Sequence, residues 1–301
     1  MAKFVLVADE DVGEGLRRIA TEQIDVASWH VQRVGDGLGH VHELRKATKR
    51  MRAVVRMVRY EIDEDRYQAL NTAVRDVSRE LSELRTAIVR LETLEGLVAG
   101  DALLGSSSGG LSDSLAADVM RLHDAVVGDL RLIDGLADRL RDVREEVGAW
   151  SFPSDFVPAS EGFRRTYRRG RIRMARAYSE GKTESFHRWR KEVKYLRHQI
   201  EVLASAVSMA RPNLGPTLEE LGDGLGMDHD LADLELAVSK TAGARSSYRF
   251  DCSELAASIG QRRRTLHDDL VPLGESVYTR EPHEFQHEIA MYWWRWKAPN
   301  D

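Results

Sequence analysis

Residues 41–59, VHELRKATKRMRAVVRMVR, and residues 186–204, FHRWRKEVKYLRHQIEVLA, read as one helix written twice, 145 positions apart. His42 aligns with His187, Arg45 with Arg190, Lys46 with Lys191, Lys49 with Lys194 and Arg52 with Arg197. The apolar register carries over in Leu44/Trp189, Met51/Leu196, Val55/Ile200 and Val58/Leu203. Recurrence of this kind constrains a chain more than composition does, because each copy serves the same structural unit. At about 100° per residue, the second copy places His187, Arg190, Lys191, Lys194, Arg197 and His198 within one arc about 120° wide. Phe186, Trp189, Val193, Leu196, Ile200 and Leu203 fall on the other side. The first copy has Leu44, Ala47, Met51, Val54, Val55 and Val58 as its buried stripe and adds Arg56 to its cationic face.

More of the chain follows the same plan. GLRRIATEQI at 15–24, with Arg17 and Arg18, parallels GFRRTYRRGR at 162–171, and LSELRTAIV at 81–89 parallels LGMDHDLAD at 225–233. Between them SFPSDFVPASEG, 151–162, carries two prolines and marks a boundary. The expected organisation is a first half over 1–150, a linker over 151–162 and a second half over 163–301. Helical period appears over roughly 12–33, 39–61, 65–100 and 112–148, then 161–180, 184–210, 215–240 and 252–270. The fold class read from this is all-α: two homologous four-helix bundles arranged as an internal repeat. GSSSGG at 105–110 and TAGARSSYR at 241–249 read as loops. KFVLVA at 3–8 is a scrap of strand pattern that carries no weight.

The charge is unevenly distributed. The chain of 301 residues has a formal net charge of −5. Residues 164–197 nevertheless hold thirteen Lys+Arg against three acids, and residues 41–59 hold seven against one. The remaining segments are therefore strongly acidic, and positive potential is concentrated in two elements. Cys252 is the single cysteine, which excludes an intramolecular disulfide framework. No apolar run reaches eighteen residues, and FVLVA is too short for a signal or a span, so a cytoplasmic protein without membrane insertion is expected.

Like charges at i,i+3 and i,i+4 repel by a few tenths of a kcal/mol per pair. A single basic helix is ordinarily solvated surface. Here acids at i±4 are largely missing and the pattern recurs in register. Two such faces together would make a cationic trough without internal partners, which calls for a large anion. Arg165, Arg168, Arg169 and Arg173, with Arg176, share a further face on the helix preceding the second copy. Arg offers a planar fork for phosphate oxygens, Lys a point charge and His a titratable donor, a mixture suited to phosphate. Nucleic acid would bring stacking aromatics among the cations. Only Tyr195 and Tyr167 are placed to stack, while Trp189 faces the core, so nucleic acid is not expected as the main ligand.

These residues resemble the CHAD family, the conserved histidine α-helical domains. The family pattern runs G-L-R-R, then H-x-x-R-K-x-x-K-x-L-R, then L-G-x-x-(R/H)-D, in two halves. The chain matches with GLRRIA, VHELRKATKRMR, GFRRTYRRGR, FHRWRKEVKYLRH and LGMDHD, over most of residues 12–270. It departs at LSELRT, where Thr86 stands for the expected Asp and Ser82 for Gly. The resemblance implies two four-helix bundles around a basic central cavity, and binding of inorganic polyphosphate without catalysis, cofactor or metal. Within the cytoplasm expected above, association with polyphosphate granules stands beside storage and regulation as a role that the residues leave open.

Other signals read differently. HEFQH at 283–287 spells a zincin motif, but Pro282 puts His283 at a helix start and no third ligand follows at the usual distance. His229–Asp230 suggests a metal phosphohydrolase, yet the same dipeptide occurs at 123–124 and 267–268. The basic helices also admit a histidine phosphotransfer module, with HELRKA as its site, or an RNA-binding surface. His42 and His187 are either ligand contacts or first-turn anchors for neighbouring helices. The tail MYWWRWK is expected to pack on the domain or to join a second copy of the chain.

Overall fold

In the computed structural model, residues 4–99, 109–153, 155–243 and 252–298 are described, and every element among them is helical. Asp11 caps α1 (Val12–Val31), its carboxylate accepting the Glu14 N–H at 3.0 Å. Helix α2 (Gly39–Met57) buries Val41, Leu44, Ala47, Met51, Val54 and Val55, the stripe its periodicity marks out. The single helix expected over 65–100 is two, α3 (Glu64–Glu80) and α4 (Ser82–Ala99), with the chain turning at Leu81. The stretch over 112–148 is likewise α5 (Gly109–Gly128) and α6 (Leu130–Gly148). Asp129 restarts the helix there by accepting the Leu132 N–H at 3.0 Å.

In the second half α7 (Glu161–Glu180) ends at Gly181, whose φ of 61° is the left-handed cap that glycine adopts without strain. Helix α8 (Thr183–Val202) stops at Leu203, and a short α9 (Ala204–Ala210) covers the rest of the stretch expected to 210. Helices α10 (Leu214–Gly243), α11 (Cys252–Val277) and α12 (Pro282–Lys297) complete the chain. HEFQH forms the start of α12, with Pro282 in its first turn and a capping box between Glu281 and Glu284. Of the expected loops, 105–108 and 244–249 lie outside the described residues. Around KFVLVA there is no strand among the described residues; the Leu6 N–H bonds the Val202 carbonyl at 3.0 Å.

The helices pack as two groups of four. In the first, α1 packs on α2, α2 on α3, α3 on α6 and α6 back on α1. In the second, α7 packs on α8, α8 on α10 and α10 on α11. Tyr178 of α7 closes that ring by donating to the His267 carbonyl of α11 at 2.9 Å. One core runs through both groups, from Leu16 to Trp293. A smaller core joins Leu94, Leu111 and Leu115 to Leu231, Leu234, Val238, Leu255 and Ile259, so α4 and α5 are held against α10 and α11.

Two joints tie the groups together and set the geometry of the site. At the first, α2 lies against α8, and the fully buried Gln199 donates to the Ala53 carbonyl at 3.0 Å. At the second, α2 lies against the start of α7. A Cβ on Gly162 would run into the carbonyl oxygens of Arg56 and Met57, so the approach demands glycine. Ser160 Oγ donates to that same Met57 carbonyl at 2.7 Å.

Candidate functional site

The two joints place the cationic side of α2 beside that of α8. Along α2, Arg45, Lys49, Arg52 and Arg56 recur at helical spacing, and Arg59 follows in the turn after the helix. From Arg45 to Arg56 the stripe is about 17 Å long at 1.5 Å per residue.

Lys49 is the centre of this field. Arg190, Arg45, Lys194 and Arg85 all act on it electrostatically, so charges from α2, α4 and α8 converge there. Burial first, then these cations, pull the Lys49 ammonium down to about 7. Arg190 is lowered by burial and is opposed by Asp230, Asp233, Asp223 and Asp228. Lys191 is lowered too, chiefly by burial, with Arg52, Arg190 and Arg188 adding to it. Arg45 donates to the Ser78 carbonyl at 2.5 Å, which fixes its guanidinium. Arg52 and Arg56 lie over the Tyr195 ring, 5.5 and 4.2 Å from its centroid.

At the far end Arg56, Arg59, Arg165 and Arg169 surround a void of about 10 Å³ together with Tyr67, Gly162, Thr166 and Glu192. That is room for at most one water. Arg169 is neutralised by the buried Glu192 at 2.7 Å, and Arg165 donates to the Tyr60 hydroxyl at 3.3 Å. Arg59 pairs with Glu64 at 2.7 Å.

The structure thus brings together Arg45, Lys49, Arg52 and Arg56 with Arg190, Lys191 and Lys194, and brings Arg165 and Arg169 to their end. Other sequence candidates sit elsewhere. Arg17 donates to the Trp150 carbonyl at 2.6 Å. Arg18 pairs with Glu10 at 2.8 Å and with Glu22, and donates to the Val5 carbonyl. His198 is 8% exposed, bonded to Glu201 at 3.1 Å and edge-on to Phe4. Arg168 is exposed and Arg173 half-buried on α7. Lys46 is exposed beside Glu43.

The expected absence of internal partners needs correcting for Lys46 beside Glu43, for Arg169 beside Glu192, and for two residues of α8. Arg197 meets Asp223 at 3.1 Å, Glu219 at 2.5 Å and Glu201 at 3.3 Å, and Lys194 meets Asp223 at 3.0 Å. Asp223 and Glu219 come from α10 and lie outside the i±4 window on α8. The correction does not extend to Lys49.

The two histidines differ. The His42 side chain is 54% exposed at the rim, and its pKa is lowered by burial and by Arg85. His187 is half-buried, its Nδ1 2.9 Å from His229 Nδ1, so one ring donates and the other accepts. Burial and the neighbouring cations hold His187 at about 4 and His229 at about 3, both neutral at pH 7. Arg85 and His229 are the contributors that periodicity on the basic helices missed. They occupy matching places in LSELRT and LGMDHD, and that second repeat was the signal available for finding them.

Among the described residues no group of three or more His, Cys, Asp or Glu is arranged to hold a metal ion. No described helix is long and apolar enough to cross a membrane. Asp228, in the LGMDHD stretch, is buried between Arg263 at 2.9 Å and His267 at 2.8 Å and ties α10 to α11.

A family model described as the CHAD domain matches residues 18–238. No curated protein sequence matches the chain. Among solved structures, the CHAD domain from the plant Ricinus communis is similar at 16% identity with a TM-score of 0.61, over 95% of this chain and 93% of that one. PptA from Streptomyces chartreusis is similar at 15% identity with a TM-score of 0.59, over 92% of this chain and all of that one. At these identities the two structures speak for the fold.

Proposed function

The chain belongs to the CHAD family, and on that premise we propose that it binds inorganic polyphosphate along the α2–α8 joint without transforming it. One observation carries the reading: matched cationic faces from the two halves meet, and Lys49 stands at their centre with no carboxylate in ion-pairing distance among the described residues. A field of this kind costs folding free energy that a polyanion would return. A linear chain of phosphates satisfies point charges and guanidinium forks repeated over about 17 Å, and it gains further from counterion release.

In this reading 1–150 and 163–301 each contribute one helix to the site, and 151–162 brings the start of α7 against α2. Arg45, Lys49, Arg52, Arg56, Arg190, Lys191 and Lys194 hold phosphate, with Arg85 added from α4 and Arg165 at the far end. His187 orients against His229 and gives at most a neutral hydrogen bond. Nucleic acid fits less well: Tyr195 is 8% exposed beneath Arg52 and Arg56, and Tyr167 is fully buried against Phe285. Neither offers a ring face to a base. Met291 and Trp294, both exposed on α12, are the surface through which a second copy would associate. A cytoplasmic role at polyphosphate granules is consistent with a binding protein of this kind.

The test is titration of labelled long-chain polyphosphate against the native chain and against Lys49→Ala and Lys194→Ala. Each substitution is expected to lower the slope of log K against log salt by about one. Polyphosphate should be recovered uncleaved, with no phosphoryl group left on His42 or His187. Unchanged slopes in both variants would remove the joint from the binding surface.

A further inference from the structure

The two basic helices part company in their last turns. In their alignment Arg52 matches Arg197, but Arg56 matches Glu201, and Arg50 matches Tyr195. Arg52 and Arg56 lie over the Tyr195 ring, and Arg52 Nε donates to the Asn71 side-chain oxygen at 3.4 Å. Neither guanidinium pairs with a carboxylate among the described residues. The matching positions of the other copy form a closed set instead. Glu201 Oε1 lies 3.3 Å from Arg197 Nε, while Oε2 accepts from His198 at 3.1 Å and lies 3.5 Å from Arg50 Nη2. Arg50 also stands over Phe4, 4.9 Å from its centroid, and Arg197 is further enclosed by Glu219 and Asp223. Burial pushes the Glu201 carboxyl up, but His198, Arg50 and Arg197 together hold it below its ordinary value, so it is ionised at pH 7.

Two guanidinium groups and an imidazole converging on one anionic group make the kind of seat that recognises a phosphate. Here the chain itself supplies the anion. We propose that Glu201 is a built-in anion that closes this end of the joint, so that polyphosphate engages the Arg52–Arg56 end and not the Arg50–Arg197 end. The inference rests on the polyphosphate reading and deepens it, since Glu201 then sets where the track stops.

The two ends differ in what a phosphate displaces. At Arg52 and Arg56 it displaces solution anions, and their release drives binding. At Arg50 and Arg197 it would displace carboxylates that stay tethered to the protein and must then find counterions of their own. The gain from release is absent there, and the displaced acids would stand beside the incoming phosphate. Lys194 marks the boundary: it shares Asp223 with Arg197, which has Glu201 and Glu219 besides, so Lys194 can turn to the ligand. The polyphosphate track is thereby one-sided, although both helices carry a cationic face.

The experiment titrates labelled long-chain polyphosphate over a series of salt concentrations. Glu201→Gln keeps the shape of the side chain and removes its charge. It is expected to bind several-fold tighter, with a slope of log K against log salt steeper by about one. Arg50→Ala should leave the slope of the otherwise native chain unchanged, because Glu201 already neutralises Arg50, and should abolish the gain when added to Glu201→Gln. Arg56→Ala, at the open end, should lower the slope by about one. If Glu201→Gln fails to fold by circular dichroism, Arg50→Ala against Arg56→Ala tests the same point in the otherwise native chain. Equal losses of slope in those two variants would mean that the second end already holds ligand, and would overturn the proposal. So would a folded Glu201→Gln whose slope matches the native one. Either result leaves polyphosphate binding standing. A native chain that binds no polyphosphate even at low salt removes the polyphosphate reading, and the role of Glu201 with it.

Discussion

Lys49 shows how one residue reports on its site. Its depressed pKa means that, between pH 7 and about 10.4, the unfolded chain holds more protons there than the folded one. Stability of the free protein therefore rises with pH across that window. Bound phosphate reverses the balance by favouring the ammonium, so binding takes up a proton and polyphosphate affinity should fall as pH rises from 7 toward 10. Measured at fixed salt, the fall should be shallower in Lys49→Arg, whose charge persists throughout. A flat profile in the native chain, or equal slopes in both, would show that Lys49 does not titrate at the ligand. His187 and His229, near 4 and 3 against 6.5 in the unfolded chain, make stability rise with pH up to about pH 7 and add nothing above about pH 8. The histidine that most attracts notice in the sequence is thus a weaker reporter than the lysine seven residues after its counterpart, His42.

At the scale of the element, the decisive features are the close approaches that turn cationic faces toward each other. Gly162→Ala places a Cβ on the Arg56 and Met57 carbonyls, and backbone cannot yield as a side chain would. A loss of about 2 kcal/mol or more in denaturant titration is expected, with an unchanged m value. Thr86 supplies a second test. Its match in the other half is Asp230, which acts on Arg190, whereas Arg45, the match of Arg190, turns to the Ser78 carbonyl. Thr86→Asp should give Arg45 and Lys49 a carboxylate, raise the Lys49 pKa, and weaken polyphosphate binding with a salt slope about one unit lower. An unchanged slope would place Thr86 away from the field. Most helices were legible because their apolar stripes bury as written, Leu44 to Val58 on α2 being the clearest case. The breaks at Leu81, Asp129 and Leu203 were not. Apolar periodicity continues across them, and only a local cap such as Asp129 on Leu132 tells the chain to turn.

For the whole molecule, the question is how an acidic chain keeps so much positive charge in one place. The core and the two joints supply the rigidity, while acids from α10 neutralise Arg197 and Lys194 and oppose Arg190, and Lys49 at the centre has no carboxylate in ion-pairing distance among the described residues. The sequence made the two basic faces visible, but not which of their members would be spent on neighbours. Arg17 shows why: the Trp150 carbonyl that holds it comes from a distant segment that no spacing rule reaches, whereas Glu22, at i+4 from Arg18, was within reach and Glu10 was not. His198 shares the cationic arc yet is buried edge-on to Phe4 and bonded to Glu201. The measurement that bears most directly on polyphosphate binding is competition of labelled long-chain polyphosphate with unlabelled tRNA and single-stranded DNA at two salt concentrations. Polyphosphate is predicted to resist displacement by orders of magnitude in competitor concentration and to keep measurable affinity at the higher salt. Displacement by nucleic acid at matched phosphate concentration would contradict the account and reduce the α2–α8 joint to a generic polyanion surface.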